Sequence, residues 1–225
     1  MWRIEPLAHE GMALKLLDLY CKAGGASRGY ALAGFQVTGV DIKKQKRYPY
    51  KFIQADCLEL MQDTNYLKSF DVIVASPPCQ THSITQHLRN AQGKSTDKID
   101  LIPQTRAALI ASGKPYVIEN VPGAPLLQPV QLCGSSFDLK VRRHRLFESN
   151  VKIVGSICDH KKQGRPVGIY GSMRDEIPGG GHTAKSIEQA REAMGIDWMI
   201  WGELVEAIPP NYTKYMGDQI YKELN

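Results

Sequence analysis

Five times along the chain a short run of aliphatic and β-branched residues gives way to a turn or a helical stretch. The runs are "ALKLLDLY" (13–20), "QVTGVDI" (36–42), "KFIQAD" (51–56), "FDVIVAS" (70–76) and "PYVIENV" (115–121). Each is too short for a helix of ordinary length and rich in strand formers, so each reads as a β-strand. "ASRGYALAGF" (26–35) and "LIPQTRAALIAS" (101–112) read as helices, and "HRLFES" (144–149) as a further strand. Strands that alternate with helices cannot pair as hairpins. They form a mainly parallel sheet with helices on both faces, so the fold class is α/β with a doubly wound sheet. A chain of 225 residues supports one such core plus a small appendage.

The texture changes from Asn150 to about Thr183, where Gly, Lys, Asp and Pro dominate and "PGGGH" (178–182) reads as a plain loop. Helical spacing returns in "SIEQAREAMGI" (186–196) and "NYTKYMGDQIYKEL" (211–224). This divides the chain into a core over 1–149, an irregular insertion over 150–184 and a helical return over 185–225. No apolar run approaches the roughly 20 residues of a membrane span. "MWRIEPLAHEGM" lacks the charged lead and apolar stretch of a secretion signal, so a cytoplasmic setting is expected. Five cysteines, an odd number without C-x-x-C spacing, argue for free thiols rather than a disulfide framework. A net charge of +5 with dense patches at 43–51, 140–145 and 161–165 leans towards a polyanionic partner.

Two stretches point to chemistry. "DLYCKAGGASRGY" (18–30) follows the first strand and opens a helix, the place where backbone amides approach a nucleotide-like cofactor. Its glycines are not spaced as in a dinucleotide fingerprint. Asp41 and Asp56 end the second and third strands beside it. In "VASPPCQTHS" (74–83) two prolines present Cys79 at the edge of a strand where ligands of open α/β sheets bind. Glu119 in "IENV" ends the next strand, where burial would raise its pKa. Arg143 and Arg145 in "RRHRLFE" are two apart, which on a strand puts both on one side.

In this order, "DLYCKAGG", "RGYALAGF", "GVDI", "QAD", "SPPCQ", "IENV", "RRHR" and "AIPPNYTKYMGDQI" resemble the DNA (cytosine-5)-methyltransferases from end to end. The resemblance implies a Rossmann-like S-adenosylmethionine-dependent methyltransferase fold. It makes 1–149 the catalytic and cofactor core, 150–184 a minimal target-recognition region and 185–225 helices that return to the core. It implies that Cys79 adds to C6 of a flipped-out cytosine while Glu119, Arg145 and Arg143 hold the base. S-adenosylmethionine would be held by Asp18, Tyr20, Lys22, Gly24, Gly25, Asp41, Ile42, Asp56, Cys57, Pro77, Gly217 and Asp218. DNA would meet Gln80, Ser83, Arg89 and Lys94 on a mobile loop that also carries His87 and Lys98, and Arg142, Lys161 and Arg165 beyond it. The partner is duplex DNA with a flipped base or single-stranded DNA. Because 150–184 is so short, the expectation is a short or degenerate recognition site, a single-stranded or hemi-accessible substrate, or a helper protein. A phage or restriction-modification setting suits the compact chain.

The sequence departs from the family in three places. Val141 replaces a glutamine, Lys22 a glycine, and Asp218 an asparagine. Lys22 and Asp218 are expected to neutralise each other as an ion pair; the alternative is a pocket that prefers a more anionic derivative of the cofactor. "CDH" (158–160) with Cys133 and His182 matches no standard metal spacing, so no metal is expected. Three readings stay open: cytosine-5 methylation of DNA, the same thiol chemistry on RNA, a free nucleotide or with another group, and a non-catalytic DNA-binding relative.

Overall fold

The computed structural model describes residues 13–78, 99–170 and 181–225. Seven strands form one sheet: β1 (Lys15–Leu19), β2 (Gln36–Asp41), β3 (Lys51–Gln54), β4 (Val72–Ala75), β5 (Tyr116–Asn120), β6 (Val130–Leu132) and β7 (Arg145–Ser149). Their spatial order is β3-β2-β1-β4-β5-β7-β6. The first five are parallel, whereas β7 runs antiparallel to both β5 and β6.

Side chains on a strand alternate between faces, and here both faces are apolar. Leu16, Val37, Val72, Val74, Val117 and Phe147 join one buried cluster. Leu17, Leu19, Val40, Ile73, Ala75 and Ile118 join the other. The first cluster packs against α1 (Gly25–Leu32) and the C-terminal helices. The second is covered by the short α2 (Cys57–Leu60) and α3 (Thr64–Lys68) and by α4 (Ile102–Ser112). Burial of both faces explains why consecutive residues in the central strands are hydrophobic, whereas the edge strand β3 carries exposed Lys51 and Gln54.

Beyond the sheet come α5 (His160–Gln163), a two-residue parallel ladder of β8 (Val167–Gly168) with β9 (His182–Thr183), α6 (Ile187–Met194), α7 (Trp201–Glu206) and α8 (Pro210–Leu224). His182, expected in a plain loop, therefore belongs to a strand. Helix α8 lies directly on α1. A Cβ on Gly217 would sit 2.7 Å from that of Ala33, so only glycine permits this approach. Thr213 Oγ1 fastens the pair by donating to Ala26 O at 2.8 Å. Among the described residues no helix is long and apolar enough to cross a membrane.

Candidate active site

The chain reverses its winding between β1 and β4, since β2 and β3 extend the sheet to one side and β5 to the other. Crevices for ligands form beyond the strand ends at such a switch point. A cavity of about 620 Å³ opens there. It is lined by the turn after β1, by Ser76–Pro78 after β4, by Glu119 and Val121 at the end of β5, by Arg142–Arg145, and by Val205–Ile208.

The turn after β1 is bent by three left-handed residues in five positions, Tyr20 (φ 61°), Lys22 (φ 48°) and Gly24 (φ 86°). Only glycine adopts that conformation without a steric cost. Helix α1 starts immediately afterwards with no side-chain cap, and Gly25 and Ala26 line the cavity. Trp198 Nε1 donates to Ala23 O at 2.9 Å and steadies the turn.

Asp18, next to the C-terminal end of β1, is 1% exposed. Its Oδ2 accepts a short hydrogen bond from Ser27 Oγ, which also meets Tyr48 Oη at 2.8 Å. Its Oδ1 is buried with no partner. Burial pushes the carboxyl pKa up to about 7, against the opposing hydrogen bond from Ser27. An orphaned carboxylate oxygen at a cavity wall is a receptor for a cationic donor.

Across the cavity Glu119 is 8% exposed. Burial raises its pKa, and Arg145, the Ser76 hydroxyl and Arg143 pull in the opposite direction. Arg145 Nε lies 2.9 Å from Glu119 Oε1. The N–H is not aimed at that oxygen, which therefore remains without a hydrogen-bond donor. The adjoining Asn120 donates from Nδ2 to Pro77 O at 3.0 Å and so ties the end of β5 to the Pro77–Pro78 turn.

Arg143 does not reach the cavity through strand alternation. It precedes β7 with φ 37°, is 8% exposed, and donates from Nη2 to Val205 O. Burial, with Arg145 nearby, lowers its pKa to about 9. The Tyr212 hydroxyl on α8 lies 3.1 and 3.0 Å from the carbonyls of Arg142 and Arg143 and shares its proton between them. Gln163 Nε2 donates to Leu139 O and Val141 O, both at 2.9 Å, so a glutamine from α5 braces the strip around Val141.

Of the residues expected around the cofactor, Asp18, Tyr20, Lys22, Gly25 and Pro77 line the cavity. The others lie elsewhere. Gly24 stands behind the turn against Tyr48. Asp41 accepts from Lys22 N at 3.1 Å and Lys43 N at 3.0 Å, which makes it a brace between two loops. Ile42 is exposed, and Cys57 is buried beneath Tyr20, whose amide it accepts at 3.3 Å. Asp56 caps α2 through Leu58 N and lines a separate shallow groove at the β3 edge. Gly217 serves the α1–α8 contact rather than the cavity. Asp218 pairs with Lys214 at 2.7 Å, while Lys22 reaches Glu206 at 3.4 Å, so the expected Lys22–Asp218 pair does not form.

Cys79, Gln80, Ser83, His87, Arg89, Lys94 and Lys98 lie outside the described residues. Lys161 and Arg165 are exposed near α5. Arg142 is half-buried, donating to Gln163 Oε1 at 3.3 Å and Gly164 O at 3.1 Å. Sequence reasoning missed Ser76, Asn120, Tyr212 and Val205–Ile208, whose local signals are proximity to "SPPC", "ENV" and "AIPPNY", and Trp198, which has no such signal. It also set aside a metal, yet Cys133, His144, Cys158 and His160 converge, with His144 in the place expected for His182.

Sheet order, switch-point cavity and cofactor turn define an S-adenosylmethionine-dependent methyltransferase. Residues 14–127 match the model of the C-5 cytosine-specific DNA methylases, and the chain belongs to that family. In fold it is similar to a prophage-encoded E. coli protein described as a DNA modification methyltransferase (15% identity, TM-score 0.62, 95% of this chain and 100% of the other). It is also similar to the S. pombe Dnmt2 methyltransferase (12%, 0.60, 95% and 99%). The Entamoeba histolytica methyltransferase EhMeth gives 10% identity, a TM-score of 0.60 and coverages of 96% and 100%. At these identities the likeness concerns the fold. A ribosomal RNA large subunit methyltransferase K/L of Colwellia psychrerythraea is 27% identical over 129 residues, 51% of this chain. The chain spans only 18% of that protein's length.

Proposed function

We propose that the protein methylates C5 of cytosine in DNA through a covalent bond between Cys79 and C6 of a flipped-out base. The observation that carries this reading is the buried Glu119–Arg145 pair, which faces the cofactor turn across one cavity and adjoins the Pro77–Pro78 turn leading into Cys79.

The cavity walls fit the cofactor. The orphaned Asp18 Oδ1 would take the ammonium of its methionine end, the open amides at the start of α1 its carboxylate, and Tyr20 the nucleoside side. When bound, S-adenosylmethionine supplies an electrophilic methyl group on a sulfonium. The protein's task is to make C5 nucleophilic. The Cys79 thiolate forms a bond to C6 as the C5=C6 π electrons move into the ring. Burial raises the Glu119 pKa and so favours the protonated carboxyl, which would share its proton with N3, where the negative charge would collect. Arg145 holds the carboxyl and lends a positive field that favours the thiolate. After methylation water takes the C5 proton, its electron pair re-forms the C5=C6 bond as the S–C6 bond breaks, and the ring regains aromaticity with the thiolate released. A stacked base cannot reach these groups, so the base must leave the duplex.

Incubation with cofactor and DNA containing 5-fluorocytosine should trap a covalent adduct, because fluorine cannot leave C5 as a proton does. Loss of the adduct in Cys79→Ala is expected, and an adduct that survives that substitution defeats the mechanism. The match to a ribosomal RNA methyltransferase favours RNA as the second reading. Nucleoside mass spectrometry of DNA and RNA treated in parallel separates the two, and identifies any group other than methyl.

A further inference from the structure

We propose that Cys133, His144, Cys158 and His160 form a four-coordinate structural zinc site that fastens the 150–170 segment to the arginine strand. Their donor atoms all lie within 4.8 Å of one another. Cys133 Sγ is 3.3 Å from His160 Nε2, and Cys158 Sγ is 3.4 Å from His144 Nε2. Zinc bonds of about 2.3 Å to sulfur and about 2.0–2.1 Å to nitrogen set neighbouring S and N donors of a tetrahedron roughly 3.5 Å apart. Two separate thiol–imidazole hydrogen bonds would account for each pair, but not for the convergence of both pairs on one point.

The donors come from three places that share no local pattern. Cys133 follows β6, His144 precedes β7, and Cys158 and His160 flank the start of α5. Each sulfur also has an outer partner suited to a thiolate. Ser135 Oγ donates to Cys133 at 3.2 Å, and Gln131 Nε2 donates to Cys158 at 3.7 Å. Such outer hydrogen bonds orient ligands and tune a metal site. Two sulfurs and two imidazoles select zinc over magnesium or calcium, and four protein donors leave no position for water or substrate. The site is therefore structural.

The surrounding fold has a use for such a staple. Val151–Asp159 forms neither helix nor strand, none of its residues is fully buried and Ile157 is 92% exposed, so apolar packing holds this stretch only through the half-buried Val151 and Ile153. His144 stands between Arg143 and Arg145, and both histidines line the active-site cavity. Metal ligation would fix that wall and the left-handed backbone at Arg143 together.

The test is metal analysis of the full chain purified without chelators, followed by cobalt exchange. About one zinc per chain is expected, and the cobalt form should show the intense visible bands and thiolate charge transfer of tetrahedral S₂N₂ coordination. Cys158→Ser and His160→Ala, at half-buried positions, should each weaken zinc retention by about tenfold or more; His182→Ala should retain it fully. A wild-type chain that carries no zinc and gives no tetrahedral cobalt spectrum overturns the proposal. So does a native Cys133–Cys158 disulfide, or full zinc retention in both ligand variants. If a variant fails to fold, the wild-type stoichiometry and cobalt spectrum still decide.

Discussion

Asp18→Asn separates what the buried carboxylate costs the empty protein from what it contributes to binding. Folding raises this carboxyl from its ordinary value of 3.8 to about 7, chiefly through burial. A carboxyl raised in this way holds its proton more tightly in the folded than in the unfolded chain. Stability is therefore fully present below the unfolded pKa and is lost as pH climbs towards 7, after which it levels off. The interval corresponds to at most about 4 kcal/mol, since each pKa unit is about 1.4 kcal/mol. Asparagine keeps the shape and the contact with Ser27 but cannot ionise. Denaturant unfolding of both proteins at a series of pH values from 4 to 8 should thus show a gap in the variant's favour that widens to roughly 2–4 kcal/mol at the upper end. Subtracting the two curves removes the contributions of Glu119 and Arg143, which are common to both. Calorimetry at pH 8 should give the opposite ranking for S-adenosylmethionine. Loss of a charge-assisted hydrogen bond worth about 1.5–3 kcal/mol would weaken affinity roughly 10- to 150-fold. Two outcomes refute the reasoning: stability curves that run parallel across the whole range, or unchanged affinity in the variant.

Glu119→Gln should retain cofactor affinity within a factor of about two yet slow methyl transfer and 5-fluorocytosine adduct formation by about 10²–10⁴-fold, measured in single-turnover assays. Arg106→Ala should destabilise the fold by about 3–5 kcal/mol in urea, because it strands Glu148, a nearly inaccessible carboxylate that Arg106 grips with two bonds of 2.7 Å. Lys22→Gly relieves a left-handed backbone at the cost of an exposed ion pair with Glu206. Stability should rise by up to about 1 kcal/mol with cofactor affinity and cofactor choice unchanged by calorimetry.

Strand positions were legible because the central runs must be apolar on both faces and the edge strand β3 keeps an apolar pair, Phe52 and Ile53, and those demands are local. The runs at 13–20, 36–42, 51–56, 70–76 and 115–121 each contain the observed strand, trimmed by one or two residues at an end. The motifs "SPPC" and "ENV" were equally plain, since the chain's turn after β4 and its end of β5 must each meet the crevice. Short elements such as α2, α3 and β6 were not read, because three to five residues carry no periodicity to distinguish them.

What the sequence alone determined was the class: consecutive apolar residues in short strands force a covered parallel sheet, and the motif order assigns the chain to its family. Tertiary structure decided the partners. The antiparallel direction of β7, the pairing of Lys22 with Glu206, the use of Gly217 between helices and the meeting of Cys133 with His144, Cys158 and His160 all join residues far apart in the chain. Local composition encodes how a segment buries its own side chains. Which distant donor, charge or helix meets it depends on how the layers pack, and no spacing along the chain records that.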